Sequence, residues 1–209
     1  MDKILWLAGA LAVLCLLGPV IYFLIAVVFG KTIGAIALAQ QPDRIHLMPA
    51  GPDDWKNRAK VEETTHAIAA LGFADAGTWH ISEMPGVIVR LMHNPSERAL
   101  AALYEHPMAG VWFDFCWRFE DRTSATWTTA RSTGLSERPG HPMVHAPGQT
   151  PSVLFERARR ERPDRRIEPV SNQESKHVFE EAYAESTAWR KAQGISRAEV
   201  VKVASRKAA

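Results

Sequence analysis

The residues of this chain best suited to chemistry are its histidines. All eight follow residue 29, and the tripeptide His-Pro-Met occurs twice, as His106-Pro107-Met108 and His141-Pro142-Met143, with His145 close behind. Imidazole nitrogen and thioether sulfur both bind copper, and imidazole also suits zinc or haem iron. A metal site built from His106, Met108, His141, Met143 and His145 is therefore one chemistry that the residue types allow. The competing reading is structural: each proline ends a strand or shapes a turn, and its neighbours pack. The second reading is the stronger, because the cysteines and carboxylates that usually complete such sites are not arranged nearby, so no cofactor is expected. Around the second tripeptide, Glu137-Arg138-Pro139-Gly140-His141 sets an acid, a cation and an imidazole on a chain stiffened by proline. Rigid polar loops on a sheet edge make binding sites, which gives His106, Arg138, His141 and His145 as candidate ligand-binding residues. Pairing of Arg138 with a neighbouring carboxylate, tying the loop to the sheet, is the structural alternative.

A lone cysteine and a run of arginines are the other residues with chemical potential. Cys116 alternates onto the mixed face of a strand, where it is better read as a small packed side chain than as a nucleophile. Arg157, Arg159, Arg160, Arg162, Arg165 and Arg166 fall within ten residues, offset by Glu161 and Asp164. A run of this kind beside a bilayer attracts anionic lipid, each residue contributing about 1 kcal/mol, and its alternative is a solvated helix end with internal ion pairs. Nucleic acid is disfavoured as a partner, since the net charge of the whole chain is only +2 and no recognition motif accompanies the run. There is no Gly-x-Ser-x-Gly elbow, phosphate-binding glycine loop, His-Glu-x-x-His or Cys-x-x-Cys. The motifs therefore lean away from an enzyme.

The elements that must position these residues follow from periodicity. A helix is expected from Asp53 as cap to Leu71, with Val61, Ile68 and Leu71 on one face and Gly72 as its stop. Beyond it the period falls to two. Thr78–Ile81 and Val87–His93 flank a Met84-Pro85-Gly86 turn, and in Val111–Phe119 the residues Val111, Phe113, Phe115, Trp117 and Phe119 make one wholly apolar face. Ser124–Thr129 supplies a hairpin partner. Asn94-Pro95-Ser96-Glu97 fits either a helix start or a hairpin turn, and the turn followed by a strand is preferred because strands lie on both sides. Residues 134–148 read as a long loop. Thr150-Pro151 opens a helix to about Arg162, Ser171 and Glu174 form a capping box for a helix to Gly194, and Ser196 with Glu199 opens a last one. On the helix to Gly194, the inner face is expected to carry Val178, Phe179, Ala182, Tyr183, Ser186 and Trp189. The expected fold class is α+β, with a four- to five-stranded antiparallel sheet covered by N- and C-terminal helices.

Composition completes the picture once it is divided. Residues 4–29 contain no charged side chain and 23 of the 26 are hydrophobic, whereas the remainder has ordinary globular composition. As a helix this run would be about 39 Å long, enough to span a hydrocarbon core of about 30 Å. A cleaved signal peptide is the alternative, through Ala37-Leu38-Ala39, but the apolar run is too long for one. The expected organisation is a transmembrane anchor over 1–30, a tether over 31–52 and a globular domain over 53–209. The flanking charges, Lys3 against Lys31 and Arg44, nearly balance and lean slightly toward a cytoplasmic domain. The partners implied are membrane lipid through residues 4–29 and a protein at the membrane surface. The expected function is a single-pass, membrane-anchored, non-enzymatic interaction module, with small-molecule or metal binding at the sheet edge and the 134–148 loop as the alternative.

Overall fold

The computed structural model describes residues 32, 34–36 and 38–207. The apolar run 4–29, expected to cross a bilayer, lies outside the described residues. Among the described residues no helix is long and apolar enough to cross a membrane.

The chain is α+β, and its contacts divide it into two compact units, one of residues 42–132 and 137–188 and the other of residues 1–41, 133–136 and 189–209. The larger unit is organised by a seven-stranded meander in sequence order: β1 Leu47–Pro49, β2 Ala74–Ile81, β3 Ile88–Asn94, β4 Ala99–His106, β5 Gly110–Arg118, β6 Ser124–Thr128 and β7 Met143–His145. All neighbours are antiparallel except β6 and β7, which run parallel. The sheet is thus wider than the four or five strands expected. Its first strand lies in the stretch read as tether, and its last lies inside the 134–148 stretch read as loop. The outermost strands have only three residues each, too few to display a period of two.

Why the ambiguous stretch after β3 becomes a strand is visible in its turn. Asn94 Oδ1 accepts the Glu97 N–H at 3.0 Å, the same local bond that opens a helix. Arg98 then takes a left-handed backbone, φ 50°, and reverses the chain into β4. Helix α1 spans Arg58–Ala69, later than expected, because Pro52–Asp54 forms a separate 3-10 turn in which Asp54 caps the Gly51 N–H at 2.7 Å. The start of α1 is instead held by Glu105 of β4, a carboxylate only 3% exposed, which accepts the backbone N–H groups of Lys56 and Asn57 and the Asn57 amide at 2.7–2.8 Å.

The two faces of the sheet differ. On one, Phe113, Phe115 and Trp117 of β5 and Phe119 just beyond it are all buried and pack with Phe73, Val61 and Ile68 around α1, and with Leu154 and Phe155 of α2 (Pro151–Glu161). Fully burying an aromatic or aliphatic side chain contributes about 1.5–3 kcal/mol, so this cluster dominates the stability of the unit. On the other face a smaller cluster, Ile45, Leu47, Ile81, Val87, Val89, Leu91 and Ala102, is covered by Phe179 and Tyr183 of α3 (Ser175–Gln193). The expected Ser171–Glu174 capping box opens this helix, with Glu174 accepting the Ser171 N–H at 2.9 Å. Its inner strip is Ser175, Phe179, Tyr183 and Thr187, spaced four apart, whereas Ala182 and Ser186, expected inward, are exposed.

In the smaller unit, residues 32, 34–36 and 38–40 are helical, and α4 runs from Arg197 to Lys207 behind the expected Ser196–Glu199 capping box.

Candidate binding site on the mixed face of the sheet

Strand alternation puts Trp112, Asp114, Cys116 and Arg118 of β5 opposite the aromatic core, and each of the four is half-buried rather than sealed. The ladder aligns them with their neighbours. Ala102, Asp114, Thr128 and His145 stand level across β4 to β7, and Leu100, Cys116, Thr126 and Met143 form the next row. Tyr104 stacks on Trp112, ring centres 4.8 Å apart at an interplanar angle of 11°, and Phe179 of α3 lies 6.1 Å from Tyr104. Tyr104, Asp114, Thr128 and His145, with Cys116 beside them, therefore form one polar cluster walled by aromatics on the face of a central strand.

Asp114 is its electrostatic centre. Burial raises its carboxyl to about 6, against the lowering influence of the Thr128 and Tyr104 hydroxyls and of His145. The hydroxyls do not complete its coordination: Oδ1 is shielded from water and receives no hydrogen bond. An acceptor left this way costs about 1–3 kcal/mol, more when charged. Burial, and then the Asp114 charge, also push the Tyr104 phenol well above its ordinary value. The Cys116 thiol is raised chiefly by burial, with Thr126 opposing, so at neutral pH it is a protonated packing group and not a nucleophile.

The residues singled out from sequence take separate places. His106 closes β4 opposite Gly110, where its Nδ1 accepts the Met108 and Ala109 N–H groups at 3.0 and 3.1 Å. His141 Nδ1 meets Ser124 Oγ at 2.9 Å, and Ser124 pairs with Arg118, eight residues farther along β5. At about 3.3 Å per residue the two His-Pro-Met tripeptides stand some 26 Å apart, at opposite ends of the sheet. Met108 is 92% exposed at its hairpin tip. The set His106, Met108, His141, Met143 and His145 is accordingly not brought together as a metal site. Among the described residues no three His, Cys, Asp or Glu side chains are placed to hold a metal ion. Burial first, and then the Arg138 charge, lower the His141 imidazole.

The 134–148 segment is held by its own polar groups. Arg138 pairs with Glu185 of α3 at 3.2 Å, Glu137 accepts the Met143 N–H at 3.2 Å, and His145 Nδ1 meets the Ala130 carbonyl at 3.0 Å. Of the four candidate residues only His145 joins the polar cluster. The arginine run is likewise engaged. Arg157 and Arg160 lie by Glu161, Arg159 by Glu97 and Glu156, Arg162 by Glu97, Arg165 by Asp121 and Arg166 by Glu120, all within 4.0 Å. Five carboxylates thus answer six guanidinium groups, which leaves little net charge for a lipid surface.

Sequence reasoning passed over Asp114, Tyr104 and Thr128. The signal was present in the alternation of β5: aspartate is depleted in strands, and here one sits at the middle of the longest strand, on the face that is not core. The fold so defined is an α+β unit with a mostly antiparallel seven-stranded sheet carrying a polar cluster centred on Asp114 on its second face. Searched against protein-family models, curated proteins and solved structures, the chain matches none of them.

Proposed function

We propose that this chain is a single-pass, membrane-anchored binding module without catalytic activity of its own, and that the mixed face of its sheet is the surface it binds with. The observation that carries the reading is Asp114, whose Oδ1 accepts no hydrogen bond on a face where Thr128 is buried beside it while Tyr104, Trp112 and Cys116 keep partial exposure. A carboxylate in that position favours a ligand that brings its own donor, and a small protonated amine does so while also balancing the charge. The Tyr104–Trp112 stack beside it offers an apolar and cation-attracting wall to the rest of such a molecule. The uncharged run 4–29 supports the anchoring half of the reading.

Calorimetric titration tests the reading. In the full chain held in a non-ionic detergent, 2-phenylethylammonium is expected to bind, while 2-phenylethanol does so weakly. Asp114→Asn is expected to abolish the difference. Equal binding of both compounds, or binding of neither, overturns the reading.

A further inference from the structure

We infer that α4, the basic helix Arg197–Lys207, is a membrane-surface element that lies against anionic phospholipid headgroups. The inference rests on the reading of residues 4–29 as a bilayer-spanning anchor. Its structural basis is one contact within the smaller unit. Gly34 is buried against Ile195, so closely that a Cβ added at Gly34 would stand 2.8 Å from the Ile195 Cβ. Gly34 follows the last residue of the apolar run, Phe29, by five positions. Whatever the conformation between them, five residues span at most about 18 Å. Gly34 is therefore held within that distance of Phe29, Ile195 lies in contact with Gly34, and α4 starts two residues later. The headgroup layer itself is about 5–8 Å deep on each side.

The charge of this segment fits such a surface. Between residues 190 and 207 there are six basic residues, Arg190, Lys191, Arg197, Lys202, Arg206 and Lys207, and a single acid, Glu199. Glu199 is already engaged with Arg190 at 3.3 Å and with the backbone N–H groups of Ser136 and Ser196 at 2.7 and 2.8 Å. Lys202, Arg206 and Lys207 thus follow one another on the last two turns of α4 with no acid among them. In sequence the two basic runs differ, because residues 157–166 contain two acids, Glu161 and Asp164, whereas residues 200–207 contain none.

Hydrogen exchange on the full chain, reconstituted into bilayers of phosphatidylcholine alone and of phosphatidylcholine with one third phosphatidylserine, tests this. Exchange of the α4 amides is expected to be about tenfold slower in the anionic bilayers, the effect of one to two basic residues near the surface. The slowing should vanish in high salt and in the variant Lys202→Gln/Arg206→Gln/Lys207→Gln, which keeps helix propensity. Equal exchange in the two bilayers, or slowing that salt and the variant leave intact, overturns the inference. A carbonate wash separates the two readings. If the chain is stripped from the vesicles, the anchor fails and the inference with it, whereas a retained chain with lipid-independent α4 exchange sinks the inference alone.

Discussion

Asp114 shows how a single buried acid ties stability to pH. Its folded carboxyl titrates at about 6, above the unfolded value near 3.9, so the folded state holds the proton more tightly. Its contribution favours folding at low pH, declines as pH rises from about 4 through 6, and is flat beyond. His93 and His141, lowered by burial, respond in the opposite sense across part of that window, so wild-type stability alone will not isolate the effect. The comparison with Asp114→Asn does, since asparagine has the same shape and no charge to desolvate. Relative to wild type, the variant is expected to gain about 2–3 kcal/mol between pH 4 and pH 8. Urea unfolding of both full chains in detergent at the two pH values measures it, and parallel stabilities at both would contradict the electrostatic account. This residue was also the least legible part of the site. The alternation of β5 revealed which face it occupies, but its burial depends on Tyr104, Thr128 and His145, which three other strands bring to it.

At the scale of elements, the sheet ends on two short strands whose outer edges are each guarded by a carboxylate. Glu180 of α3 accepts the Leu47 N–H of β1 at 2.7 Å, and Glu137 accepts the Met143 N–H of β7 at 3.2 Å. The ladders bond through His46 and Ala50 on one side and Pro142 and Ala146 on the other, which leaves these N–H groups pointing outward. Open edges pair with other chains, and a charge at the edge discourages this. Glu180→Ala is expected to lower stability by about 1–3 kcal/mol, the cost of orphaning a partly buried donor. It should also raise self-association, seen as concentration-dependent light scattering that Glu180→Gln does not show. Identical scattering in the two variants would remove the edge-guarding role. The interior strands β3, β5 and β6 were legible because alternation runs over five or more residues. The edges were not, because a three-residue strand is defined by its partner. The inner strip of α3 was misjudged for a related reason: Ser175 and Thr187 are polar by type, yet both are buried, and Ser175 donates to the Ser171 carbonyl at 3.1 Å.

For the molecule as a whole, the division into two units has an electrostatic signature within the smaller one. Glu199 of α4 joins the Ser136 backbone, the Ser196 cap and Arg190, three stretches of chain gathered on one carboxylate. Burial works to raise this carboxyl, but the hydrogen bonds from Ser136 and Ser196 prevail and hold it down to about 2. A folded value below the unfolded one means that the stabilisation is complete above about pH 4.3 and is lost as pH falls toward 2. Glu199→Gln removes the charge and should reproduce the acid state at neutral pH. Amides in residues 189–207 are then expected to exchange faster in the variant at pH 7 and to show little further change on acidification, while wild type loses the same protection only below about pH 4. Strands β3 to β5 belong to the other unit and should exchange alike in both proteins at pH 7. Hydrogen exchange by mass spectrometry, corrected for intrinsic rates, reads both regions in one experiment. Loss of protection in β3 to β5 together with residues 189–207 would mean that the two units open as one, and that Glu199 anchors the whole fold and not the smaller unit alone.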